Sequence, residues 1–245
     1  MPRPDPKAKL AAAAPKKGPN KAVLGGVIAS LVIVGIVVAV IIGSRGSSSA
    51  SSQGSAVPKG ATGASGGIVA NAGSVKAGVP TLDVYEDFQC PNCGQLEKAF
   101  GSQFTDVAKS GQARVVYHMM SFLDVNLNND SSSRAANAAA CAADQGKFIP
   151  YHSEIYANQP AKEGAGYTDA QLLQFGQTAG ITGPAATTFK SCVTGKQHQS
   201  YVEGVETASG KAGVTGTPTV KLNGKTLDLS QLAKTRLADL IKSAA

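Results

Sequence analysis

At 245 residues, with 23 basic and 16 acidic side chains and a formal charge of +7, the chain is long enough for one ordinary domain plus additional segments. The excess charge is confined: residues 1–21 hold six basic residues against Asp5 alone, Arg45 and Lys59 follow, and residues 60–245 balance 15 basic with 15 acidic residues. A nucleic-acid-binding reading of the basic balance is therefore set aside, because the charge lies where membrane topology and anionic headgroups account for it.

Residues 1–21, basic and interleaved with Pro and Ala, read as a solvated, disordered tail. Residues 22–44 carry no charge; as a helix they measure about 34 Å at ~1.5 Å each, enough to cross a hydrocarbon core of about 30 Å, so a transmembrane helix is expected. Six basic residues before it against Arg45 just after it orient the N-terminus to the cytoplasm and everything downstream outside the cell membrane. The competing reading is a cleaved signal peptide, but its apolar core is about 7–15 residues long and ends in A-x-A, to which Ser48-Ser49-Ala50 is a loose match; length favours a retained single-pass anchor. Residues 45–67, rich in Ser, Gly and Ala, cannot bury a core and read as a flexible linker. All four cysteines follow it, in a compartment that permits disulfides.

Residues 68–245 suit one domain. An extended segment from Thr81 ends in Val84 to Phe88 and feeds a helical stripe of Leu96, Phe100, Phe104 and Val107 before Gly111. Arg114 to Met120 is a second apolar strand, which predicts a right-handed βαβ unit with parallel pairing. Between about 129 and 210 the pattern is helical: an Ala-rich stretch from Ser131 to Asp144, then Phe148 to Tyr156, then a capping box Thr168-x-x-Gln171 ahead of Leu172, Phe175 and Ala179. Thr217 to Leu222 and Lys225 to Asp228 read as two strands around the hairpin signal Asn223-Gly224, and Leu232, Leu237, Leu240 and Ile241 mark a closing helix. The order is βαβ, helices, ββα.

Cys90-Pro91-Asn92-Cys93 stands where the first strand gives way to its helix. Two thiols at this spacing can close and reopen a disulfide. The unpaired N–H groups and partial positive charge of a helix N-terminus favour the thiolate that attacks and leaves in disulfide exchange. Pro91, without an N–H, suits the first turn.

Three segments, Tyr85-Glu-Asp-Phe-Gln-Cys-Pro-Asn-Cys-Gly94, Ser133-Arg-Ala-Ala-Asn-Ala-Ala-Ala-Cys141 and Gly216-Thr-Pro-Thr-Val-Lys-Leu-Asn-Gly224, together resemble the DsbA family of thiol-disulfide oxidoreductases, most closely its membrane-anchored actinobacterial members. The resemblance implies an α/β thioredoxin-like fold with an inserted helical domain, here preceded by the anchor and linker. It implies a cis Thr217-Pro218 bond on a loop facing the dithiol, where the Thr217 backbone can pair with a bound substrate strand. Pro91 and Asn92 complete the expected active site. Cys90 is expected to be attacked by the substrate thiolate and Cys93 to be the buried partner. Implied partners are reduced exported proteins and a membrane redox protein of DsbB or vitamin K epoxide reductase type that recharges the pair; no cofactor is implied. Asn92 departs from the family, since strongly oxidising members carry His there, and this puts oxidising strength in question.

Cys141 and Cys192, 51 positions apart on separate predicted helices, are expected to form a structural disulfide worth roughly 4 kcal/mol, with a relay pair as the alternative. Glu86 and Asp87 could relay protons for Cys93 but are read as a solvated strand end. His118, His152 and His198 lack metal-ligand spacing and are assigned to packing or surface, with His118 nearest the predicted site sheet; no metal is expected. Rival readings of the same residues are a disulfide reductase or isomerase, or a membrane-tethered metal-binding or non-catalytic module.

Overall fold

The structure, a computed structural model, describes residues 56–70 and 72–244. The expected tail (1–21), transmembrane helix (22–44) and first part of the linker (45–55) lie outside the described residues. Among the described residues no helix is long and apolar enough to cross a membrane.

The strand β1 (Ile68–Val69) comes first, then β2 (Thr81–Asp87), the helix α1 (Pro91–Lys109) and β3 (Arg114–Met120). Strand β2 runs parallel to β3, with Val84 opposite Tyr117 and Tyr85 opposite His118, so the expected βαβ unit is present. Antiparallel neighbours complete a five-stranded sheet: β1 on the outer edge of β3, β4 (Thr219–Leu222) on the other side of β2, and β5 (Lys225–Thr226) beyond it. The hairpin between β4 and β5 turns on Asn223 and Gly224, at φ 48° and 78°, the two left-handed positions such a turn requires. Strand β2 is thus paired on both edges. Leu82 and Val84 are fully buried in one apolar cluster with Leu96, Phe104 and Val107 of α1 and Leu237 and Ile241 of the closing helix α8 (Leu237–Ser243). Three residues of the predicted α1 stripe are buried and Phe100 packs at its margin.

Between β3 and β4 the chain inserts six helices: α2 (Leu123–Leu127), α3 (Ser131–Asp144), α4 (Phe148–Ala157), α5 (Asp169–Thr178), α6 (Pro184–Thr194) and α7 (Gln199–Lys211). The insertion starts earlier than expected because α2 is too short to leave a periodic signature. Helix α3 is its axis, with 12 of 14 residues buried; its alanines let α4, α6 and α7 pack close around it. The capping box at Thr168 and Gln171 forms as predicted. A disulfide joins Cys141 of α3 to Cys192 of α6, as expected, with Cα atoms 5.9 Å apart.

The described part of the expected linker, residues 56–67, is held on the domain. The Lys59 N–H donates to Asp144 Oδ1 (2.8 Å), the Ala56 carbonyl lies 2.7 Å from His198 Nδ1, and the Tyr201 hydroxyl donates to the Gly66 carbonyl (2.6 Å). Val57 in this segment is exposed and Pro58 buried, and the side chains of Asp144 in α3, His198 just before α7 and Tyr201 in α7 take up its backbone groups.

Candidate functional site

Cys90 is the N-cap of α1, with extended backbone (φ −74°, ψ 117°), and Pro91 is the first helical residue. The Cys90 carbonyl accepts the N–H of Cys93 (3.1 Å) and of Gly94 (3.2 Å), closing the first turn. Its side chain is left pointing off the helix end, where the Sγ–H donates to the Thr217 carbonyl 3.4 Å away. The Thr217-Pro218 bond is cis and lies against the dithiol, as the resemblance implied. Pro91 and Asn92 are exposed, Cys90 is 6% exposed, and Cys93 is fully buried; both cysteines are free thiols.

The two sulfurs differ in acidity. A hydrogen bond from the Cys93 thiol holds Cys90 down at about 6; burial opposes this, while Thr217 and the N–H groups of Cys93 and Asn92 reinforce it. Burial pushes Cys93 far above the ordinary thiol range, with the Cys90 sulfur and the Glu86 carboxyl adding to the rise. The helix N-terminus therefore favours ionisation of the sulfur at its mouth, at the expense of its bond to the Thr217 carbonyl, and keeps the sulfur behind it protonated.

The structure corrects the reading of Glu86 and Asp87 as a solvated strand end, since both are fully buried. The C-terminal end of β2 runs under the insertion. Glu86 Oε2 lies 2.8 Å from His152 Nε2, and His152 Nδ1 lies 3.8 Å from Glu97 Oε2, so α4 and α1 close a triad beneath the dithiol. Burial raises the Glu86 pKa well above the usual carboxylate value, partly offset by a hydrogen bond from Glu97. Burial, helped by the Glu86 charge, raises Glu97 to about 8. Burial also lowers His152. Each carboxyl keeps one oxygen, Glu86 Oε1 and Glu97 Oε1, buried without a hydrogen-bond partner among the described residues. Tyr156, one turn after His152, adds a buried hydroxyl with no hydrogen-bond partner among the described residues. Burial raises Asp87 to about 7 against hydrogen bonds from the Ser132 hydroxyl and the N–H groups of Gln89 and Leu123.

His118 is occupied elsewhere, 2.9 Å from Asp83 and stacked on Tyr85. The histidine beneath the dithiol is His152, which sequence reasoning placed in packing; the signal for it was the spacing of His152 and Tyr156 on one face of α4. Glu86, Glu97 and His152 offer ligand atoms within 4.8 Å of one another, as do Cys141, Cys192 and His198. In the first set Glu86 Oε2 and His152 Nε2 bond to each other, while Glu86 Oε1 and Glu97 Oε1 are buried without a hydrogen-bond partner among the described residues; in the second the sulfurs are bonded to each other.

A groove runs from Pro91 and Gly94 along α1 past Lys98 and Gly101, walled by Tyr156 and Gln159. Gln159 Nε2 donates to the carbonyls of Phe88 and Cys90, each at 2.9 Å, and the Tyr167 hydroxyl also donates to the Phe88 carbonyl (3.0 Å).

The sequence model of the family described as Thioredoxin matches residues 67–242. Over 118 residues the chain is 30% identical to Serine/threonine-protein kinase PknE of Mycobacterium tuberculosis, a stretch that is 45% of this chain and 21% of that protein. The chain thus spans about a fifth of the length of that relative. Among solved structures, the disulfide bond oxidoreductase DsbG of Mycobacterium tuberculosis is 28% identical with a TM-score of 0.57, over 75% of this chain and 94% of that one. DsbA of the same organism is also 28% identical, with a TM-score of 0.56 over 73% and 97%.

Proposed function

Since the chain belongs to the thioredoxin family and resembles actinobacterial DsbA and DsbG along its domain, we propose that it is a protein disulfide oxidoreductase whose Cys90–Cys93 pair introduces disulfides into exported proteins. The observation that carries the reading is the contrast between the sulfurs, Cys90 lowered to about 6 and Cys93 raised by burial.

In the oxidised pair, a substrate thiolate attacks Cys90 Sγ. The Cys90–Cys93 bond breaks, its electron pair goes to Cys93, and Cys93 takes a proton because its thiolate is unstable where it is buried. A second substrate thiolate attacks the substrate sulfur of the mixed disulfide, and Cys90 departs as a thiolate stable at neutral pH. The substrate dithiol loses two electrons and two protons, and the Cys90–Cys93 pair gains two electrons. The pair stays reduced at the end because its reduced form is the stabilised one, which is the direction an oxidant requires. Pro218 and the Thr217 backbone border the sulfur on the side from which an extended substrate segment approaches.

Recharging needs an electron acceptor, and the DsbA resemblance suggests a quinone-linked membrane protein of DsbB or vitamin K epoxide reductase type. The hydropathy of residues 22–44 supports a single-pass anchor with the domain outside; tethering would raise the effective concentration of the two partners. Equilibration of the full chain with glutathione, together with oxidation of a reduced dithiol peptide, tests the reading. An oxidising potential with peptide oxidation supports it; a low, thioredoxin-like potential means a reductase or isomerase, and an unreactive Cys90 with bound metal means a binding module.

A further inference from the structure

We propose that Gln159 is the positioning residue through which the helical insertion holds the Cys90 sulfur in its reactive geometry, with Gly94 as the seat that admits it. The inference rests on the reading of Cys90 and Cys93 as the redox pair.

Gln159 follows α4, its N–H bound to the Tyr156 carbonyl (3.2 Å), and its side chain lies across the start of α1. One amide end donates to the carbonyls on both sides of Gln89, those of Phe88 and Cys90, at 2.9 Å each. The other end lies over Gly94, where a Cβ would stand 2.1 Å from Gln159 Oε1. Gly94 does not have the positive φ that favours glycine, and a glycine inside a helix costs roughly 0.5–1 kcal/mol against alanine. What glycine provides here is room for the carboxamide.

The contact matters because of where the Cys90 carbonyl sits. That oxygen is the negative end of a dipole on the same residue as the sulfur, so it disfavours the thiolate. Two backbone N–H groups already bind it, and the Gln159 amide is the third donor. Withdrawing that donor leaves more negative charge beside Sγ and frees the turn that aims Sγ at Thr217. The added negative charge raises the Cys90 pKa. The Phe88 carbonyl keeps the Tyr167 hydroxyl when Gln159 is lost, so the strand end stays attached and the effect falls on the sulfur.

The test uses the full chain carrying Gln159→Met, which keeps length and volume without donors, Gly94→Ala, which pushes the carboxamide off its seat, and the two together. The readouts are the pH profile of Cys90 alkylation and the equilibrium constant with glutathione, neither of which follows a change in melting temperature. Each single variant should cut the Cys90 thiolate fraction at pH 5 by about threefold, a rise of about half a pKa unit, and shift the glutathione equilibrium the same way. The double variant should go no further than either single. Unchanged profiles in Gln159→Met, or a Gly94→Ala shift that persists undiminished without Gln159, would overturn the proposal. An ordinary thiol profile in the unsubstituted chain would instead sink the redox-pair reading before any variant is compared.

Discussion

Alkylation of the reduced chain by iodoacetamide across about pH 4 to 10 should titrate with a midpoint of about 6, the Cys90 ionisation. The expected size of the effect follows from two opposed terms. An unperturbed thiol ionises near pH 8.5, so at pH 7 Cys90 holds about 30 times more thiolate than free cysteine. Lower basicity weakens each thiolate: over about 2.5 units, a Brønsted slope of 0.4–0.5 makes it about 13-fold less reactive. The net advantage over free cysteine is therefore only about twofold at pH 7. It grows to about 20-fold at pH 5 and reverses to about a tenfold deficit above pH 9. Cys90 is only 6% exposed, which slows every rate alike, so the crossing of the two profiles is the diagnostic rather than either absolute rate. A Cys90 rate that keeps climbing through pH 8 in parallel with free cysteine would refute the argument from the helix terminus.

Replacing Cys141 and Cys192 together with Ser opens a loop of 51 residues and should lower unfolding stability by about 4 kcal/mol in urea, with the Cys90 profile retained; a loss under about 1 kcal/mol would contradict it. Asp87 at about 7 and Glu97 at about 8 both lie above their unfolded values near 4, so the folded state holds their protons more tightly. Unfolding free energy should accordingly rise as pH falls from about 8 to about 4, and Asp87→Asn should flatten part of that slope in denaturant titrations. At His198 burial opposes the charge, but the Asp144 carboxylate and the Ala56 carbonyl prevail and its pKa is raised. That contribution is full below the unfolded pKa of about 6.5 and is lost as pH rises through the higher folded value. Tryptic cleavage after Lys59, corrected for the protease's own pH dependence on a peptide, should therefore quicken on the alkaline side and do so at all pH values in His198→Ala.

Much of the fold was legible because its signals are local. The α1 stripe, the capping box at Thr168 and the Asn223-Gly224 turn each need only a few neighbouring residues to be read, and Cys90-Pro91-Asn92-Cys93 declares its chemistry by position. What stayed hidden depends on distant coverage. Glu86 and Asp87 look like an exposed strand end until Ser132 of α3 and His152 of α4, 45 and 66 positions away, close over them. Gln159 reaches Cys90 across 69 positions, and no periodicity marks it. Strand β1 is two residues long, and the Ala56 to Gly67 segment is bound through backbone groups, which composition does not distinguish from a free tether.

Helix α3 presents seven alanines, all buried, to the helices around it. Along that face the helix itself offers its neighbours only methyl groups, with no long rotamer of its own to swing aside when something larger arrives. A single added isopropyl group at Ala138, Ala139 or Ala140 would have to be absorbed by shifting whole elements, at a cost of about 1–3 kcal/mol. The insertion thus behaves as one stiff block whose permitted spelling is set by clearance, so that drift in this stretch is confined to the smallest side chains.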